Sequence, residues 1–194
     1  MIDKIEYHLQ ELLKALYHDE ILLDPNFQDT PKRMARMYLE FLKFRNENIR
    51  TETIQRILSS SFPCTHDSMI FAPNIKAFSL CPHHFLPVKY TITIGYIPVK
   101  DGKVIGASKL ERIARVLSKS AILQEDLTVE IADVITQGIK TQGCAVVVSG
   151  EHDCMQTRGI HSIGSFETSE MRGAFRDNQA TREEFFHLLQ YSRR

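Results

Sequence analysis

Two short clusters in this chain hold side chains able to do chemistry: Cys81-Pro82-His83-His84 and His152-Asp153-Cys154. Thiolate and imidazole are the donors that zinc prefers, and a catalytic zinc site takes three protein ligands and leaves a fourth position open. Such an ion makes ionised water available near neutral pH, and a free imidazole beside it can move protons. On spacing alone, a structural metal site, or histidines packed beside two buried cysteines, remain equally open, because Cys-x-x-His pairs arise by chance. The other two cysteines, Cys64 and Cys144, lie in apolar surroundings and are expected to pack rather than ligate.

The elements that must position these clusters can be read from periodicity. Ile5, Leu9, Leu12, Leu13 and Leu16 form the stripe of an amphipathic helix. Thr30 reads as an N-cap with Pro31 at the first helical position, opening a second helix with Met34, Met37, Tyr38, Phe41 and Leu42 on one side. Arg33 and Arg36 lie on another side, and a shorter helix surrounds Ile54, Ile57 and Leu58. From about Met69 the texture turns to β-branched and aromatic residues, which predicts strands over 69–80 and 87–98. Asp101-Gly102 supplies a turn before a short strand at Val104-Ile105, and Ser108 with Glu111 reads as a capping box opening a helix to about Leu117. A helix over 124–140 is expected to bury Leu127, Ile131, Val134, Ile135 and Ile139. Residues 145–148 read as a buried strand with 157–166 as its partner, and Thr181 with Glu184 as the cap of a last helix. The pattern is α+β: a helical region over 1–66, then a mixed region over 67–194.

The 194 residues suffice for a domain with a real core. Lys plus Arg balances Asp plus Glu at 24 each, so no overall field favours nucleic acid or a membrane, and basic residues are not interleaved with aromatics. Any polyanionic small substrate needs a local cationic cluster. No apolar run approaches the roughly 20 residues of a membrane span. With no signal-peptide pattern at the start, a reducing, cytoplasmic location is expected, where four cysteines do not make a disulfide framework.

Five blocks carry a family resemblance. Cys81 to Phe85, Ile105-Gly106-Ala107-Ser108-Lys109-Leu110-Glu111-Arg112-Ile113, Leu123 to Leu127, Glu151 to Gly159, and Thr30 to Ala35 upstream resemble, in order, the signature blocks of GTP cyclohydrolase I. The resemblance implies that Cys81, His84 and Cys154 bind Zn2+, that His152 is the general acid/base at the purine, and that His83 is a second proton-transfer group. It implies hydrolytic opening of guanine at C8, loss of formate, and rearrangement of the ribose to give 7,8-dihydroneopterin triphosphate. Glu125 matches the carboxylate that pairs with the N–H edge of guanine, with Gln124 beside it at the substrate. Arg33, Arg36, Lys109, Arg112 and Arg158 match the cations for the triphosphate, for which the arginine fork is suited. Ser108 matches a hydroxyl near ribose and phosphates.

The implied fold is the tunnelling fold, an antiparallel sheet with helices packed on one side, its sheets joined across subunits. The implied assembly is a decamer of two pentamers with active sites between subunits. Pro82 stands where family members commonly carry glutamate, which removes a carboxylate and a backbone N–H beside two histidines and implies an altered pH–rate profile with the metal retained. A relative acting on another pterin or a deazapurine, and a non-catalytic zinc module, are the competing readings.

Overall fold

A computed structural model describes residues 1–193. The chain divides into two compact units, Met1–Lys43 and Phe44–Arg194. In the first, α1 (Ile2–Leu16) and α2 (Thr30–Phe41) pack on each other, burying Leu9, Leu13, Pro31 and Ala35. The α1 stripe has the expected spacing, but Leu12 and Leu16 stay exposed. Thr30 is already helical: Asp29 holds the N-cap position without a side-chain cap bond, and Pro31 lies in the first turn.

The second unit is built on one antiparallel sheet. Its strands are β2 (Ile70–Leu80), β3 (Pro87–Pro98), β5 (Thr141–His152) and β6 (Phe166–Gly173), in the order β2-β3-β5-β6. Two short strands, β1 (Phe62–Pro63) and β4 (Lys103–Val104), pair separately. The partner of β5 is therefore not 157–166 but Phe166–Gly173, with Val146 opposite Glu170 and Gly150 opposite Phe166. Residues 159 and 164 are glycines inside an exposed loop, which has no alternating pattern to pair with.

One face of the sheet is covered by α4 (Ala107–Ser118) and α5 (Gln124–Gly138), with α3 (Glu47–Leu58) packed on both helices. Tyr90, Ile92, Ile94 and Tyr96 of β3 and Cys144, Val146 and Val148 of β5 point into this layer, where they meet Leu110, Ile113, Leu127, Ile131 and Ile135. The continuous run 144–148 is apolar on both sides because the opposite face is covered too, at one end. There Ala145 and Val147 pack against Phe175 of α7 (Ala174–Asp177) and Phe185 and Leu189 of α8 (Gln179–Ser192). Helices thus lie on both faces, correcting the one-sided arrangement that the resemblance implies. The physical cause is the second apolar patch, which Phe71, Ile97 and Met171 complete.

Two other caps differ from expectation. Ser108 sits inside the first turn of α4, whose N-cap is Gly106, with no side-chain cap bond. Asn178, not Thr181, caps α8, its side chain accepting from the Thr181 N–H at 3.2 Å.

Candidate active site

The β2–β3 connection places the first cluster. The Phe85 N–H donates to the Cys81 carbonyl and the Cys81 N–H to the Leu86 carbonyl, each at 2.8 Å, closing a tight loop that presents His83 and His84 outward. Phe85 takes a left-handed backbone (φ 54°) to make the turn. Two strands away, β5 ends at His152 and the short α6 (Asp153–Gln156) carries Cys154. Val88 of β3 pairs with His152, so the sheet register itself brings the two clusters to one end of the sheet. The start of α5 supplies Gln124 and Glu125 from the helical layer.

These elements enclose a cleft of about 500 Å³ lined by Cys81, His83, His84, Glu125, His152, Cys154 and Arg158, among others. One donor atom each from Cys81, His84 and Cys154 lies within 4.8 Å of the other two, and this is the one such group among the described residues. Cys81 is buried, Cys154 half-buried and His84 exposed, so the group opens toward the cleft. His83 Nδ1 lies 3.8 Å from Cys81 Sγ, as close as His84 Nδ1 at 3.9 Å, yet His83 is outside the three-residue group. Two thiols and one imidazole with an open side fit a borderline-soft ion such as zinc. Burial, and then the contact with Cys81, pushes the Cys154 thiol above its usual range. An ion would take the place of that proton.

His152 is flanked edge-on by the rings of Tyr90 and Phe166, each with its centroid 6.2 Å away. Burial lowers its pKa, against the opposing charge of Glu125, so the ring is held toward its neutral form. Its Nε2 lies 2.9 Å from Gln124 Oε1. Tyr90 carries its hydroxyl buried and without a hydrogen-bond partner among the described residues, and that burial raises its pKa strongly.

The cationic residues separate. Arg158 lines the cleft. Ser108, Lys109 and Arg112 sit on α4, whose first residues adjoin the far end of β3: the Ile105 N–H donates to Tyr96 Oη at 2.9 Å. Tyr96 is eight residues along β3 from Val88, about 26 Å of extended chain. Lys109 Nζ donates to the Ser60 carbonyl and lies 5.5 Å from the centre of the Phe62 ring, while Ser108 and Arg112 are exposed. Arg33 and Arg36 are carried by α2 in the first unit, Arg33 exposed and paired with Asp29 at 3.4 Å. Cys64 and Cys144 are buried and free, Cys144 inside the main core with its thiol pushed up to about 12 by burial.

Sequence reading missed Gly150, which has no side chain, and Thr128, whose hydroxyl lies buried inside α5. Gly150 is the one glycine in the second half of β5, an anomaly in a buried strand that signals a close approach.

A family model described as GTP cyclohydrolase I matches residues 5–190. A GTP cyclohydrolase 1 of Dehalococcoides mccartyi is 37% identical over 188 residues, covering 96% of each chain. One of Corynebacterium glutamicum is 40% identical over 185 residues, covering 93% of this chain and 89% of its own. One of Drosophila melanogaster is 40% identical over 162 residues, covering 82% of this chain and 48% of its own.

Proposed function

This chain belongs to the GTP cyclohydrolase I family, and from that premise we propose that its cleft hydrolyses and rearranges GTP to 7,8-dihydroneopterin triphosphate and formate. The observation that carries the reading is the convergence of Cys81, His84 and Cys154 with two further histidines and Glu125 in one cleft. Structural zinc sites are normally closed by four protein ligands. Here three donors face a space large enough for a ligand, beside His83, Glu125 and His152.

Cys81, His84 and Cys154 are the residues to hold Zn2+. Bound there, zinc supplies Lewis acidity that brings the ionisation of water toward neutral pH. His152 and His83 exchange protons with the opening imidazole ring of the purine, His152 held neutral by its partial burial. Glu125 accepts from the N–H edge of guanine, which penalises bases that lack those donors. Arg158 meets the triphosphate from within the cleft.

Ser108, Lys109 and Arg112 start α4 at the far end of β3, so we assign them to the triphosphate in a neighbouring subunit's cleft, with Arg33 and Arg36 as further cations. This reading calls for a homo-oligomer; a decamer of two pentamers, with tunnelling-fold sheets joined edge to edge, is the assembly that the family resemblance implies. Strands β2 and β6 are the outer strands of the four-stranded sheet, the kind of edge that pairs with another copy. All lining residues of the cleft fall within 67–194, read as the catalytic region, with 1–66 as a helical region. No helix among the described residues is long and apolar enough to cross a membrane. Four free cysteines accord with a reducing, cytoplasmic site of action.

The test is incubation of the metal-loaded protein with GTP, following formate and pterin fluorescence together. Both in equal amount are expected. Formate without pterin would restrict the activity to ring opening, and neither product from a metal-replete oligomer would overturn the reading.

A further inference from the structure

The hydrogen bonds around Gln124 can be counted proton by proton, and the count gives this side chain a task inside the protein. Gln124 is 2% exposed. Its Nε2 lies 3.0 Å from the Val148 carbonyl, 2.8 Å from the Phe166 carbonyl and 3.2 Å from Thr168 Oγ1. Backbone carbonyls only accept, so the nitrogen end of the amide must face them. A flipped amide would set a buried oxygen against two carbonyl oxygens, a network with unpaired acceptors.

The hydroxyls agree with this orientation. Thr128 Oγ1 donates its one hydrogen to the Gln124 backbone carbonyl at 2.7 Å. In the 2.6 Å contact between Thr128 and Thr168 the donor is therefore Thr168. Having given up its hydrogen there, Thr168 can only accept from Gln124. Every atom around the amide nitrogen is an acceptor, and Oε1 is left facing His152 Nε2 at 2.9 Å. An amide oxygen cannot donate, so Nε2 carries the hydrogen. In a neutral imidazole the other nitrogen, Nδ1, then holds the lone pair.

We propose that Gln124 is the positioning residue of His152: it holds the imidazole as the Nε2–H tautomer and leaves Nδ1 as the ring atom that exchanges a proton with the substrate. The proposal rests on the reading of the cleft as the GTP site. It assigns Gln124 to the histidine and not to the base, since both amide hydrogens go to acceptors of the protein; base selection falls to Glu125.

The backbone is shaped for this contact. Gly150 precedes His152 by two residues in β5 and shares its face of the sheet. A Cβ on Gly150 would stand 2.1 Å from Gln124 Oε1 and 3.0 Å from His152 Nε2. Its backbone is not left-handed, so the glycine serves space and not conformation. Of the three acceptors that orient the amide, Val148 lies in β5 and Phe166 and Thr168 lie in β6, 24, 42 and 44 residues from Gln124. No local sequence pattern brings them together.

The experiment labels histidine ring nitrogens with ¹⁵N in the metal-loaded protein. His152 is assigned by comparison with His152→Gln, at a pH where its ring is neutral. A pyrrole-like Nε2 and a pyridine-like Nδ1 are expected. Gln124→Met removes the acceptor, and Gly150→Ala displaces it while leaving both side chains in the chain. Each should shift the tautomer signal and lower kcat for GTP by about 10²- to 10⁴-fold, the span general acid–base catalysis covers, with KM nearly unchanged. A pyridine-like Nε2 in the wild type overturns the proposal, as does a Gln124→Met enzyme that keeps kcat and raises KM. A wild type with the Nε2–H signal but no GTP turnover overturns the functional reading and leaves the tautomer assignment standing. GTP turnover with an Nδ1–H signal does the reverse.

Discussion

The ring of Phe185 fills the space that a side chain on Gly95 would occupy: a Cβ there would stand 2.7 Å from Phe185 Cδ2. This contact seats α8 on the second face of the sheet, with Phe175 5.7 Å away, ring to ring and perpendicular. Gly95→Ala is expected to destabilise the fold by about 1–3 kcal/mol through overpacking. Phe185→Ala should cost about 3–5 kcal/mol through the cavity it leaves. Urea unfolding measures both, and a Gly95→Ala protein as stable as the parent would show that α8 is not seated there.

Metal content separates two adjacent histidines. Cys81→Ser, His84→Asn and Cys154→Ser should each lose bound zinc, measured by elemental analysis of dialysed protein, while His83→Asn retains it. Both imidazoles reach Cys81 to within 0.1 Å of the same distance, 3.8 and 3.9 Å, so only the relation to Cys154 distinguishes them. Zinc lost from His83→Asn and kept by His84→Asn would exchange their roles.

Glu125 is expected to select the base. Glu125→Ala should reduce kcat/KM for GTP by about 30- to several thousand-fold, the equivalent of losing a hydrogen-bonded charge worth about 2–5 kcal/mol. Inosine triphosphate, which lacks the 2-amino group, should be a poor substrate for the parent and close to GTP for the variant. Unchanged discrimination would move base selection elsewhere.

The distance between the cleft and the start of α4 predicts complementation between subunits. Cys154→Ser and Lys109→Ala/Arg112→Ala proteins should each be inactive alone. Co-expressed in equal amounts, they should recover activity toward about a quarter of the sites, because random assembly places an intact cleft beside an intact α4 that often. No recovery in verified mixed oligomers would mean that each chain completes its own site.

Glu130 makes stability depend on pH. Burial raises its carboxyl pKa, with Arg50 pulling the other way from 3.5 Å, and its Oε2, though ion-paired with Arg50, has no hydrogen-bond partner among the described residues. The folded protein thus binds this proton more tightly than the unfolded chain. That contribution to stability is fully present below the ordinary carboxylate pKa and is lost as pH rises through the raised one. Glu130→Gln should therefore match the parent in Tm near pH 4 and exceed it near pH 7, at about the two ends of the titration. Equal Tm values at both ends would show that Arg50 fully offsets the burial.

Much of the site was legible because its residues are close in sequence and their types are rare. Cys81-Pro82-His83-His84 and His152-Asp153-Cys154 stand out by composition as candidate metal donors, and the strand textures of 69–80 and 87–98 match β2 and β3 within a residue. The helix over 124–140 was equally plain, since its stripe of Leu127, Ile131 and Ile135 is periodic. Caps were less legible. Thr30, Ser108 and Thr181 are good capping residues lying one, two and three positions past the actual N-caps, and which residue caps depends on where the incoming backbone bends.

By itself, then, the sequence determined the reactive groups, most of the elements that carry them and the family, because each rests on residue types at short, regular spacing, whereas α6 and β6 lack such a pattern. Only the tertiary structure decided which of those groups meet. The pairing of Val88 with His152 brings the two Cys/His clusters to one sheet end, while α4 carries Ser108, Lys109 and Arg112 to the other. The proton on His152 is settled by carbonyls of Val148 and Phe166, far from Gln124 along the chain. Hydrogen-bond direction is a property of the whole enclosed network, and no stretch of sequence contains it.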